Sequence, residues 1–128
     1  MQNQEKLLEL QLINQEIEQL SQTNNLLANQ INELNVVKET IEQIEKEKPE
    51  TEILTPLGAG IFLKTKLLDN KNLIVNVGAK VTKDKTTKET KTLISNQIKE
   101  LEKAIKEQEK TLENQVNKQA KLYQEVQQ

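Results

Sequence analysis

From Leu10 onward the apolar residues of this chain recur three and four positions apart, at Leu10, Ile13, Ile17, Leu20, Leu27, Ile31 and Leu34, with Asn24 filling the one polar place in the series. A 3.5-residue repeat is the seam of a coiled coil, because it keeps one stripe of a slightly underwound helix turned to its partner. After Leu34 a strict register calls for Lys38, whereas the chain supplies Val37, Ile41 and Ile44, so the spacing predicts a one-residue slip and a local change in supercoil. Glu45-Lys46-Glu47-Lys48-Pro49 then closes the helix, its lysines suited to the negative helix end and its proline barring continuation.

A second periodic stretch runs through Ile94, Ile98, Leu101, Ile105, Gln108, Leu112, Gln115, Gln119, Leu122 and Val126. Thr86 and Glu89 ahead of it form a capping-box pattern, in which two side chains satisfy N–H groups left open at a helix start. Each arm spans about 40 residues, or roughly 60 Å at the α-helical rise. Arms of equal length on either side of a short connection predict an antiparallel helical pair. Its seam is well formed near the centre and decays toward the chain ends, where Gln108, Gln115 and Gln119 suggest a loosened tip and Asn24 a register device.

Between the arms the period changes from 3.5 to 2. Ile61 to Leu68 and Leu73 to Val77 read as strands around Asp69-Asn70-Lys71-Asn72, which is turn chemistry, and Glu52 to Thr55 and Ala79 to Thr82 read as two further short strands. The chain thus divides into a helix over 1–48, a β region over 49–85 and a helix over 86–128, an α+β unit with about four strands. All three glycines and both prolines fall within 49–78, where bends and positive φ are needed. A lone sheet of short strands is marginal in water and its edges invite pairing, so the sheet is expected to complete itself with other subunits. The expected assembly residues are Ile53, Leu57, Gly58, Gly60, Ile61, Phe62, Leu63, Leu73, Val75, Val77, Gly78 and Val81.

The first arm opens with more apolar residues than one seam absorbs, at Leu7, Leu8, Leu10, Leu12 and Ile13. Either a wider bundle covers them, or they form a soft apolar surface that binds something, with Leu122, Tyr123 and Val126 from the other arm.

Composition sharpens this picture. With 34% hydrophobic and 2% aromatic residues in 128, a compact single-chain core is poorly supplied, and the periodicity rather than the amount of apolar residues argues for long helices. Eighteen lysines, no arginine and a net charge of −2 give no basic stripe for nucleic acid. No stretch approaches the roughly 20 apolar residues of a membrane span. The absence of cysteine suits a reducing compartment, and the chain is expected to be soluble and cytoplasmic. Without histidine or cysteine the usual general bases, thiol nucleophiles and zinc ligands are missing, so catalysis, a metal and a cofactor are not expected. Gly58-Ala59-Gly60 before Lys64-Thr65 fails the phosphate-loop pattern, since no glycine directly precedes the lysine.

The order of helix, Thr55-Pro56-Leu57-Gly58-Ala59-Gly60-Ile61-Phe62, an Asp-Asn turn, Leu73-Ile74-Val75-Asn76-Val77-Gly78-Ala79-Lys80-Val81 and helix resembles the alpha class of prefoldin subunits, of archaeal type. Lys80 stands where that class often has a second glycine, which leaves one turn conformation open. The resemblance implies a hexamer of two alpha-type and four beta-type subunits whose central strands form a β-barrel platform. It also implies an ATP-independent chaperone that holds unfolded proteins at the distal coiled-coil tips and delivers them to a group II chaperonin. The alternatives are a structural coiled-coil scaffold and a filament-forming prefoldin-like protein.

Overall fold

The computed structural model describes residues 2–127. Helix α1 spans Gln2–Lys46 and helix α2 spans Thr87–Gln127, with β1 (Glu52–Gly58), β2 (Ile61–Lys66), β3 (Asn72–Gly78) and β4 (Val81–Thr86) between them. The chain forms two compact units, one of residues 34–97 and one of residues 1–33 with 98–128.

In the second of these, the chain-end unit, the two helical segments run antiparallel. Lys6 pairs with Glu125 at 3.4 Å, Gln119 Nε2 donates to Asn14 Oδ1 at 2.6 Å, and Gln115 Nε2 donates to Glu16 Oε2. Leu10, Ile13 and Leu122 form a buried cluster, with Ile17 packed against it. The seam therefore recloses beyond the glutamines, where a loosened end was expected. Gln115 and Gln119 bond to the facing helix, and Leu122 returns an aliphatic side chain to the heptad position that follows them. Asn24, Gln108 and Gln115 keep one buried side-chain oxygen each that accepts no hydrogen bond among the described residues. Each such oxygen costs about 1–3 kcal/mol of desolvation.

In the hairpin unit the seam of α1 continues through Leu34, Lys38, Ile41 and Glu45, all at least half-buried, while Val37 stays 47% exposed. Of the slipped series expected after Leu34, Ile41 is buried and Ile44 half-buried, while Val37 is replaced by Lys38. Lysine tolerates a seam position because its aliphatic stem packs while the ammonium reaches outward. Glu45 tolerates one because its carboxylate is matched. Lys91 Nζ lies 2.6 Å from its Oε1 and the Thr87 hydroxyl donates to its Oε2 at 2.9 Å. These two partners, Lys91 first, hold the Glu45 carboxyl below the ordinary carboxylate range.

The four strands form two separate antiparallel hairpins, β1 with β2 and β3 with β4. This corrects the expected β2–β3 unit. Asp69-Asn70-Lys71 is a connector between hairpins instead of a turn within one, because its groups are occupied in bracing neighbours. Asp69 accepts from Asn72 Nδ2 and the Lys71 N–H, both at 2.8 Å, and these bonds lower its pKa. Asn70 Nδ2 donates to the Glu47 carbonyl at 2.8 Å, meeting an acceptor that the end of α1 leaves open. The Lys71 carbonyl accepts from the Thr87 N–H at 2.8 Å, and the Thr86 hydroxyl caps α2 by accepting from the Glu89 N–H at 3.0 Å.

The hairpins are a structural repeat. Every residue of the second lies twenty positions after its counterpart in the first, from Glu52 and Asn72 to Gly58 and Gly78. Both carry a register shift near the turn that leaves Leu57 and Val77 as extra residues. The turns match as well, with positive φ at Ala59 and Gly60 (52° and 77°) and at Ala79 and Lys80 (49° and 62°). Two central residues at positive φ are what a tight turn matched to strand twist requires. Lys80 thus takes the left-handed conformation of a glycine, and β4 starts after the Ala79-Lys80 turn expected to be part of it.

Candidate functional site

Among the described residues no further sheet covers the hairpins, and only the end of α1 around Ile44 and Glu47 shares a groove with Ile53, Leu54 and Leu67. Along β1 the inner residues Ile53 and Thr55 are half-buried, and along β3 so are Leu73 and Val75. Thr55 and Thr65 join their hydroxyls across the first hairpin at 2.8 Å. Toward the turns both faces open to solvent, leaving Leu57, Ile61, Phe62, Leu63, Val77 and Val81 exposed, with Gly58, Gly60 and Gly78 at the bends. Of the expected assembly residues, then, Ile53, Leu73 and Val75 line the inner side and the others stand at the open ends of the hairpins.

Between Glu52 and Thr86, three exposed large apolar residues fall outside the expected set, namely Leu54, Leu68 and Ile74. The repeat was the signal for two of them, since Leu54 and Ile74 are counterparts on the outer faces. Leu68 and Ile74 also line an open groove of about 730 Å³ together with Ile53, Leu67 and Leu73. A β surface this apolar, on hairpins whose outer edges have no partner strand among the described residues, is a template for further strands.

The chain-end unit presents a different surface. Leu10, Ile13 and Leu122, expected as contact residues, are only 6–9% exposed and hold the helices together. Val126 is half-buried. Leu7, Leu8, Leu12 and Tyr123 remain exposed, with Leu8 and Leu12 one turn apart on the side of α1 away from the seam. These residues offer apolar area on helices, away from any strand edge. Among the described residues no helix is long and apolar enough to cross a membrane.

Comparison with known proteins matches residues 13–128 to the family model described as prefoldin subunit. The chain is 42% identical over 90 residues to prefoldin subunit alpha 1 of Thermococcus kodakarensis, covering 70% of this chain and 62% of that one. It is 37% identical over 99 residues to prefoldin subunit alpha of Pyrococcus horikoshii, covering 75% and 66%. A third relative, prefoldin subunit alpha of Methanopyrus kandleri, is 37% identical over 79 residues, covering 62% of this chain and 50% of its own length. The matched region thus spans between half and two thirds of the length of these relatives. Among solved structures, filamentous PFD from Methanocaldococcus jannaschii shares the fold at a TM-score of 0.80 and 20% identity, covering 90% of this chain and 95% of that one. The paired hairpins between two long helices and the sequence relatives agree, and the chain belongs to the prefoldin family, in its alpha class.

Proposed function

We propose that this chain is the alpha-type subunit of an ATP-independent, cytoplasmic prefoldin that binds non-native polypeptides and passes them to a group II chaperonin. Its hairpins join those of other prefoldin subunits, two alpha-type with four beta-type, into a β-barrel platform. Neither nucleic acid nor membrane is a partner. The observation that carries this reading is the pair of uncovered hairpins with exposed Leu57, Ile61, Phe62 and Leu63, an apolar surface that needs further strands.

Client contact is assigned to Leu7, Leu8, Leu12 and Tyr123, with Leu10, Ile13, Leu122 and Val126 supporting them from the seam. Binding is the sum of weak apolar contacts, each worth about 25 cal/mol per Å² buried, multiplied by several subunits acting on one client. No single residue carries it.

The test is to mix the chain with a beta-type prefoldin subunit, weigh the product by native mass spectrometry, and follow light scattering of a heat-unfolding client without nucleotide. The reading expects a closed particle of two and four subunits that suppresses scattering. An isolated monomer, or a closed particle that leaves scattering unchanged, contradicts it. Open-ended masses favour the second reading, a filament, to which the fold shared with filamentous PFD lends support.

A further inference from the structure

On the reading that the chain ends hold non-native polypeptides, we propose that the contact continues inward from the tip along the outer face of α1, from Leu8 to Leu26, and that this face takes an uncharged, extended stretch of the client. With Leu10, Ile17 and Asn24 as heptad starts, the third and sixth places point away from α2 and hold Leu12, Gln15, Gln19, Gln22, Leu26 and Asn29. All six are exposed, as is Leu8 at the sixth place of the heptad before. From Leu8 the strip thus carries no charge until Glu33. The same places on α2, counted from Ile98, include Glu100, Lys103, Glu107, Lys110 and Lys121. A solvated helix flank ordinarily looks like that of α2. A compositional bias of the whole chain would act on both helices alike, so the contrast belongs to α1.

Lack of charge suits a face that is covered and uncovered, because burying an ion costs far more than burying an amide that finds a hydrogen bond. Each glutamine offers two donors and an acceptor, the groups that pair with the open N–H and C=O of an unfolded backbone. Leu8, Leu12 and Leu26 are 61%, 54% and 63% exposed and supply apolar area at intervals. Between the last two, Gln19 lines an open groove of about 340 Å³ with Glu16, Leu20, Thr23 and Thr111, room for a client side chain. Other occupants fit less well. A second copy packed helix to helix needs an apolar residue every three or four positions, and three leucines fall short of the roughly 800 Å² that each partner buries in a stable interface. A lipid surface calls for lysines flanking the apolar residues, and this strip has none. The strip is also continuous with the tip, since Leu8 and Leu12 belong to both.

The test is binding of fluorescein-labelled, reduced and carboxymethylated lactalbumin, a permanently unfolded chain, to the assembled particle, read by anisotropy. Gln15→Glu with Gln19→Lys writes the α2 pattern onto α1 at no change in net charge and leaves the leucines in place. Affinity should fall about three- to tenfold, with particle mass and helical dichroism kept. Asn114→Glu with Asn117→Lys, the same kind of change on α2, should leave affinity as it was. In an otherwise wild-type particle, photo-reactive benzoylphenylalanine in place of Gln19 should link to lactalbumin, and in place of Asn117 should not. Wild-type affinity in the α1 variant, or an equal loss in both variants, overturns the proposal. So does a photo-reactive group at Gln19 that links two copies of this chain or fails to link lactalbumin, whatever the charged variants do to assembly. In each of these cases binding by the wild-type particle leaves the reading of the chain ends intact, whereas a wild-type particle that binds no lactalbumin overturns both.

Discussion

In the two hairpins, exposed apolar side chains such as Leu57, Phe62 and Ile74 sit on strands that each have one edge without a partner strand among the described residues, whereas in the chain-end unit Leu7, Leu8 and Leu12 sit on a helix whose backbone is already satisfied. The same residue type thus carries different information in the two places. On a strand, an exposed leucine comes with a direction, a register and a face, so it selects a partner strand. On a helix, outside the seam, it offers area alone, and any apolar segment of an unfolded chain can use it.

The largest expected effect breaks the strand side of this contrast. Ile61→Asp with Leu63→Asp removes two side chains each worth about 1.5–3 kcal/mol on burial. Assembly with other prefoldin subunits should weaken by two to four decades in dissociation constant, read by native mass spectrometry or sedimentation. Helical dichroism should persist, because neither residue touches the helix seam.

Next in size is the helix side. Leu122→Ala opens the cluster of Leu10, Ile13 and Leu122, and truncation of a buried leucine costs about 2–3 kcal/mol where neighbours can partly relax. Hydrogen exchange should accelerate in residues 1–33 and 98–128 and stay unchanged in the hairpins, following the division into two compact units.

Much of this architecture was legible because periodicity reports which face is buried. The seam positions of α2 from Ile94 to Val126 lie where the three-and-four spacing put them, and the change to period 2 marked the strands. What was not legible depended on pairing. Val37 reads as a better seam residue than Lys38 when hydrophobicity is judged singly, whereas at this step the helix packs the lysine stem and leaves the valine exposed. The β2–β3 turn was misread for a similar reason. Asp69-Asn70 has the composition of a hairpin turn, and only its bonds to Glu47, Lys71 and Asn72 reveal a brace between two hairpins. At the candidate surfaces, the sequence marked the excess leucines near the chain start but could not divide them into the packed Leu10 and Ile13 and the exposed Leu7, Leu8 and Leu12.

A smaller effect sharpens the account of the seam. Asn24→Leu together with Gln108→Leu replaces two buried oxygens that lack partners, and should raise stability by about 1–2 kcal/mol in urea unfolding. An unchanged or lowered midpoint would mean that these amides are satisfied by solvent. Smallest is Lys80→Gly. Releasing a side chain from a φ of 62° relieves about 1 kcal/mol of left-handed strain, part of which glycine's extra freedom in the unfolded chain offsets. A gain of about 0.5 kcal/mol is expected, and the same change at Ala59, at φ 52°, should act alike.

The central claim is that partner selection and client contact reside in different units of one chain. It is tested most directly by measuring aggregation of a heat-unfolding client in the presence of an assembled particle carrying Leu7→Ser, Leu8→Ser, Leu12→Ser and Tyr123→Ser. The account predicts an unchanged particle mass and a several-fold loss of client protection. Full protection at unchanged mass, with all four side chains gone, would contradict it.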